Sequence, residues 1–403
     1  FMLAGGVEDF SEASTTEFAN MGATCSTVEE VAHGREPSEM CRPCTSSRSG
    51  FVEGQGASIV VLMSASAAIK MGAPVYGVVA MSGTATDKQG RSVPAPGKGI
   101  LTSARGVNSS LMFERRMSLG YRRKQLQRHV EALERLYKEE KADLEAEAAE
   151  TNMDASQHLS EIKSKYKQQL SGLCDIWGNE FWKQDKNISP LQGCLAVWGL
   201  SADDIGLASF HGTSTVANDK NESDVLNAKL EHIGRTPGYA LPVVCQKWLT
   251  GHSKAAAAGT MLNGILQSMS TGLIPGNRNA DNIDPDFQQY NYALYLSKTI
   301  QTPGIKAALM TSFGFGQVSG ELLIVHPDYL FASVDPKEID EYNRKLAKRE
   351  KKAYRYWQDT LVGNHPFVQV KENPPYTADQ EKQVYLDPFA RAKYDAKTKQ
   401  YKF

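Results

Sequence analysis

The chain has 403 residues, 41% of them hydrophobic, with 45 Lys and Arg against 46 Asp and Glu. That length buries a substantial core and accommodates two or three domain-sized units. A formal net charge of -1 supplies no bulk field for nucleic acid or a membrane surface, so neither is expected as a partner.

No apolar run reaches the roughly 20 residues that cross a bilayer, and the opening FMLAGGVEDF has neither the basic start nor the long apolar stretch of a secretion signal. The chain opens on Phe1 inside a strand-like run, so further sequence is expected upstream. Its six cysteines, Cys25, Cys41, Cys44, Cys174, Cys194 and Cys245, lack the density of a secreted disulfide scaffold, and a cytoplasmic location is expected. Cys41 and Cys44 have CxxC spacing, but Pro43 lies between them and there is no second pair, so no metal site is expected.

Residues 1–100 alternate apolar runs with glycines. FMLAGG reads as a strand, the stretch around Cys25 as helical, GASIVVLMSASAAIKMG as a strand followed by a short helix, and VYGVVAMSG as another strand. This is the texture of a layered α/β domain. Residues 101–190 form a linker and a charged insertion, in which Leu126, Val130, Leu133, Tyr137 and Leu144 recur at helical spacing. Leu159, Ile162, Tyr166, Leu170 and Leu173 repeat the pattern, which predicts a helical hairpin, either a dimerisation arm or a solvated insertion.

Residues 191–326 return to α/β texture with the strand-like runs IGLASF, LPVVCQ, ALYLS, KAALMTSF and ELLIVH. Residues 327–403 read as a connector or extension. A basic helix near Asn343–Trp357 carries Lys345, Lys348, Arg349, Lys351, Lys352 and Arg355, which serve either to dock an acidic carrier protein or as a solvated face.

Three motifs fall at strand ends: HGTST from His211, KWLTGHSK from Lys247 to Lys254, and SFGFGQ from Ser312. Each alone is weak, since a lone histidine at a strand end is more often structural. Together and in this order they resemble the signature motifs of the β-ketoacyl synthases, members of the thiolase-like superfamily. Cys41, Arg42, Pro43, Arg48, Gly50, Phe51, Glu53 and Gly56 are similar to the family's SRPxxxxRxGFxxGxG stretch, and Met2 to Glu8 to its AGGxE strand. NDKNES, PGNRNADN and IWGNEFWK are similar, more narrowly, to fungal-type fatty acid synthase α subunits.

The resemblance implies an α/β fold of the layered α-β-α-β-α thiolase-like type, with residues 1–100 ending the first half and 191–326 forming the second. It implies that His211, His252 and Lys247 are catalytic, with Glu222 pairing with Lys247. Thr213 and Thr250 would support the phosphopantetheine arm or the malonyl group. Phe315, between Gly314 and Gly316 and beside Phe313, would gate the substrate pocket. The reaction implied is decarboxylative Claisen condensation of a malonyl thioester, in which two imidazole donors stabilise an enolate; one such donor is worth ~3 kcal/mol. Ala255 and Ala258 stand where the family often has glycine.

The same resemblance implies a nucleophilic cysteine on a sharp turn before the AGGxE strand. None of the six cysteines occupies that context, so the nucleophile is expected from outside this chain, on the remainder of a synthase α subunit. Acyl carrier protein, a β subunit and a second condensing domain are the other implied partners, with no cofactor held directly. A starter-unit synthase for polyketide production, a plain thiolase and a silent scaffold are the competing readings. Intact His211, Lys247 and His252 weigh against the scaffold, and His252 with FGFGQ weighs against the thiolase.

Overall fold

The structure, a computed structural model, describes residues 1–87, 97–106, 119–178, 187–314, 318–368, 377–386, 393–398 and 400–402. Two compact units divide it, Phe1–Asn343 and Arg344–Phe403.

In the first unit, β1 (Met2–Glu8) and β2 (Gly56–Leu62) pair antiparallel as a ribbon. The remaining strands are β3 (Val78–Thr86), β4 (Ile205–Ser209), β5 (Leu241–Val244), β6 (Leu273–Ile274), β7 (Ala293–Tyr295), β8 (Ile300–Gln301), β9 (Ala307–Phe313) and β10 (Val318–Val325). Six of them form one sheet in the order β3-β10-β9-β4-β5-β7, while β6 and β8 pair separately. The neighbours β9, β4, β5 and β7 run parallel, and β10 is antiparallel to both β3 and β9. Parallel strands covered on both faces need continuous apolar runs, which is why Ala307–Met310 are all buried. The five runs read as strands between 191 and 326 all lie in this sheet, and one strand of the first hundred residues, β3, joins it.

Alternation along the strands separates two cores. On one face the helices Pro190–Ala196 and Val216–His232 contribute Leu191, Leu195, Leu226 and Leu230 against Leu309 and Leu323. On the other the helix Ala257–Thr271 contributes Met261, Leu262 and Ile265 against Ala308, Met310 and Ile324. Each fully buried Leu, Ile or Met is worth about 1.5–3 kcal/mol relative to exposure.

The β1–β2 ribbon lies across the helix Ala257–Thr271 from the sheet, giving successive α, β, α and β layers. Small residues permit this approach: a Cβ on Gly259 would lie 2.2 Å from Ser58 Oγ, and the Ser58 hydroxyl donates to the Ala256 carbonyl at 2.7 Å. The ribbon's outer face is apolar and open, with Leu3 61%, Val7 68%, Ile59 61% and Val61 59% exposed.

The helical hairpin forms as the periodicity predicts, from Gly120–Thr151 and Ser156–Trp177. Tyr137 and Tyr166 stack across it at 4.6 Å, and Lys165 meets Glu140 at 3.0 Å. Its base is clamped: the buried Arg122 guanidinium lies 5.5 Å over the Trp177 ring and donates to the Ala196 carbonyl at 2.7 Å. Cys25 is not helical as its stretch predicted. The helix Glu12–Asn20 stops before Gly22, whose φ is 63°, and Ser26 caps the helix Thr27–Ala32, leaving Cys25 in an extended link.

The second unit holds the exposed C-terminal part of the helix Pro336–Leu361, the helix Ala378–Leu386 and a two-stranded pair. Within it Tyr356 stacks on His365 at 5.5 Å and Trp357 meets Phe367 edge-on at 5.6 Å.

One buried ion pair locks the sheet to its covering helix: Lys229 of Val216–His232 meets Glu321 of β10, with both side chains at most 1% exposed. Removing one partner strands a buried charge, at a cost of about 3–5 kcal/mol. Lys229→Met is expected to lower stability by that amount in denaturant unfolding, and adding Glu321→Leu to restore most of it.

Candidate active site

Three chain segments converge at the ends of β4, β5 and β9. His211 follows β4, and its loop turns back at Gly212, φ 47°, and Ser214, φ 65°, before Thr215 caps the helix Val216–His232. Two carboxylates from the start of that helix pin the loop. Glu222 accepts the His211 N–H at 2.6 Å, the Gly212 N–H at 2.9 Å and the Thr311 hydroxyl of β9. Asp219 accepts the Thr213 N–H at 3.0 Å and the Cys44 N–H at 2.9 Å.

The second histidine is held by the segment that carries Phe51. His252 N–H donates to the Val52 carbonyl at 2.7 Å, and Gly54 N–H donates to the His252 carbonyl at 3.2 Å. This close approach requires glycines, since a Cβ on Gly54 would lie 2.7 Å from the Thr250 carbonyl oxygen. The Phe51 ring packs 5.0 Å from the His252 ring, and Lys254 pairs with Glu53 beside it.

The result brings the two predicted histidines together. Their ring centroids are 5.0 Å apart at 83°, and both residues are 6% exposed. Lys247 lies beneath them, 1% exposed, donating to the His211 carbonyl and lying 3.3 Å from His211 Nδ1. An ammonium is a donor only, so Nδ1 is the acceptor and the proton of His211 resides on Nε2. His252 Nδ1 accepts the Lys254 N–H at 3.1 Å, which places its proton on Nε2 as well. Both rings therefore keep an Nε2–H donor free of these contacts.

Burial, and then the neighbouring Lys247 ammonium, hold both imidazoles well below their ordinary pKa, so they are neutral at physiological pH. Burial brings Lys247 down to about 8 and pushes Glu222 up to about 7. The anticipated Lys247–Glu222 contact is not a direct ion pair. The ammonium is taken up by the His211 carbonyl and ring, and the carboxylate by backbone N–H groups, so the two interact only through space.

The supporting residues divide. The Thr213 hydroxyl pairs with Thr215 at 3.0 Å and the Thr250 hydroxyl donates to the Gly251 carbonyl at 3.0 Å. Phe313 is buried 6.4 Å from His211 and packs on Ile100, Leu101 and Val225 as a wall of the site, and the Gly314 N–H donates to the Val318 carbonyl at 3.1 Å. Phe315 and Gly316 lie outside the described residues. Sequence reasoning missed Asp219, Thr311 and Ser312, whose hydroxyl lies 3.3 Å from His211 Nδ1. Asp219 was within reach, being one turn before Glu222 on the same helix face. Among the described residues no group of three or more His, Cys, Asp or Glu is placed to hold a metal, and no helix is long and apolar enough to cross a membrane.

A mixed sheet layered between helices thus carries two neutral buried imidazoles over a lysine at its strand ends. Residues 182–281 match the family described as Beta-ketoacyl synthase, C-terminal domain. The chain is 48% identical over 402 residues to the fatty acid synthase subunit alpha of Saccharomyces cerevisiae, and 48% identical over 399 residues to that of Schizosaccharomyces pombe. These alignments cover 98% and 97% of the chain but only 21% and 22% of those relatives, so the chain spans about a fifth of their length. The crystal structure of the noncanonical ketosynthase FabY from P. aeruginosa superposes with a TM-score of 0.59 at 18% identity, over 96% of this chain and 52% of that one, which supports the fold. Residues 182–281 are thus similar to the C-terminal domain of β-ketoacyl synthases, and nearly the whole chain is similar to one part of fungal fatty acid synthase α subunits.

Hydrogen bonds to a charged carboxylate are worth about 1.5–3 kcal/mol each. Glu222→Gln is expected to raise amide hydrogen exchange at His211 and Gly212 by roughly ten- to a hundredfold, while exchange along β9 away from Thr311 stays unchanged.

Proposed function

We propose that this chain is the histidine-bearing part of the 3-oxoacyl-[acyl-carrier-protein] synthase of a fatty acid synthase, an acyltransferase acting in the cytoplasm. The perpendicular imidazole pair carries this reading. When a malonyl thioester loses carbon dioxide, the electron pair of the broken C–C bond becomes an enolate. Two neutral Nε2–H donors aimed at the thioester oxygen stabilise that charge, and their fixed placement costs no reorganisation during the reaction. The enolate carbon then attacks an acyl thioester, a C–C bond forms, and the C–S bond breaks to release a cysteine thiolate.

That cysteine comes from outside this chain in our reading. No cysteine sulfur among the described residues hydrogen-bonds either ring, and burial pushes Cys41, in the segment facing the site, up to about 12. The remainder of the α subunit would supply the nucleophile and cover the apolar outer face of the β1–β2 ribbon. Acyl carrier protein delivers the substrates on its phosphopantetheine arm, and a β subunit and a second condensing domain complete the assembly.

In the intact synthase, His211→Ala and His252→Ala are each expected to cut malonyl-thioester decarboxylation by about 10²–10³; unchanged turnover in either variant overturns the reading. A thiol-directed acyl analogue is expected to label a cysteine outside the six described above, and quantitative label on one of the six overturns the external nucleophile.

The pH dependence follows from the two coupled groups. Protonated Lys247, which holds His211 Nδ1 as acceptor, is lost as pH rises through about 8, and ionised Glu222, which pins the loop, is lost as pH falls through about 7. Decarboxylation is therefore expected to fall on both sides of that window, with the acid limb absent in Glu222→Gln.

A further inference from the structure

The floor of the site holds two thiols that condensation does not use. Cys44 and Cys245 are 201 residues apart in sequence, yet their sulfurs are 3.6 Å apart and both side chains are buried. Cys245 directly follows β5 and sits under the histidine loop: a Cβ on Gly212 would lie 2.8 Å from Cys245 Cβ and 2.9 Å from its Sγ. Cys44 reaches the same loop by another route, since Asp219 accepts both its N–H and that of Thr213. Cys44 also has a φ of 64°, a left-handed conformation that a residue with a side chain adopts only when its surroundings impose it.

We propose that Cys44 and Cys245 form a reversible disulfide that switches the histidine site off, with a small hydroperoxide, such as hydrogen peroxide, as oxidant. The regulatory half rests on His211 being a working donor; the bond itself does not. The Cys245 sulfur attacks one peroxide oxygen, the O–O bond breaks, and the departing hydroxide takes the thiol proton to become water. The Cys44 sulfur then displaces hydroxide from the resulting sulfenic acid, the S–S bond forms, and the second thiol proton leaves with that hydroxide as a second water. Two thiols are oxidised and one peroxide is reduced.

Cys245 is the attacking sulfur in this scheme because its contact with Cys44 and the nearby Lys247 favour charge on it, although burial and the Asp219 and Glu222 carboxylates leave it above the ordinary thiol value. Burial raises Cys44 further. The pair therefore responds slowly, and only to a small uncharged oxidant that can enter. A disulfide bond is about 2.05 Å long, so closure draws the sulfurs together by about 1.5 Å from their 3.6 Å separation. Gly212 packs directly on the Cys245 side chain, so that movement is transmitted to the loop presenting His211.

The test uses the full synthase with its nucleophilic cysteine capped as an acyl thioester and then exposed to hydrogen peroxide. Peptide mapping without reductant is expected to yield a species joining the Cys44 and Cys245 peptides, lighter by two hydrogens than their sum. Single-turnover condensation is expected to fall about tenfold or more, since the displaced loop carries one of the two donors, and a dithiol reductant to restore it. Cys44→Ala and Cys44→Ser are each expected to condense normally, form no linked species and resist this loss. Absence of the linked species when exposed Cys174 is already oxidised overturns the site. A linked species with undiminished condensation overturns the switch. A linked species in an enzyme whose His211→Ala variant still decarboxylates malonyl thioester at full rate keeps the bond and removes the proposed function instead.

Discussion

Everything at this site depends on a carboxylate gripping a loop by its backbone. Glu222 holds the N–H groups of His211 and Gly212 together with the Thr311 hydroxyl, and so joins the end of β4, the following helix and the end of β9. The loop it holds contains two positive-φ residues, Gly212 and Ser214, which would relax without such a tether. A carboxylate raised to about 7 by burial sits close to losing its charge, and the backbone donors keep it ionised near neutrality. Loop geometry and carboxylate ionisation are thus one equilibrium rather than two.

The lysine shows the same economy. Its ammonium costs desolvation, which brings it down to about 8, but in that position it satisfies the His211 carbonyl and fixes the tautomer of the His211 ring. The second imidazole is set differently, by a backbone N–H two residues on, in a turn where Lys254 has a φ of 37°. One ring is oriented by a side-chain charge and the other by chain geometry, so the two donors respond to different perturbations.

Much of this was legible in the sequence, and the limits were physical. The strand-like runs were found because β9 and β10 alternate or saturate their apolar content as buried strands must, and the hairpin because its apolar stripe keeps a helical period. His211, His252 and Lys247 were singled out through the resemblance of three motifs taken together, and the structure brings them side by side. Cys25 was misplaced because a single glycine, Gly22, ends one helix and a serine starts the next within five residues. The Lys247–Glu222 contact was anticipated from the family resemblance, and backbone groups, which leave no mark in composition, took both partners. The nearness of Cys44 and Cys245 belongs to packing across 201 residues, for which no local pattern exists.

The clamp at the base of the helical hairpin has a consequence for how such an arm can vary. Arg122, Trp177, Tyr121 and Trp198 anchor both helices near their origin, while the far end is closed by Asn152 in a left-handed turn, a buried Ala155 and an Asp154 side chain capping Ser156. Adding or deleting a matched turn from both helices changes the reach of the arm by about 5.4 Å and leaves the anchor untouched. Length is therefore a free parameter of this fold, open to retuning by insertion while the chemistry at the sheet stays put.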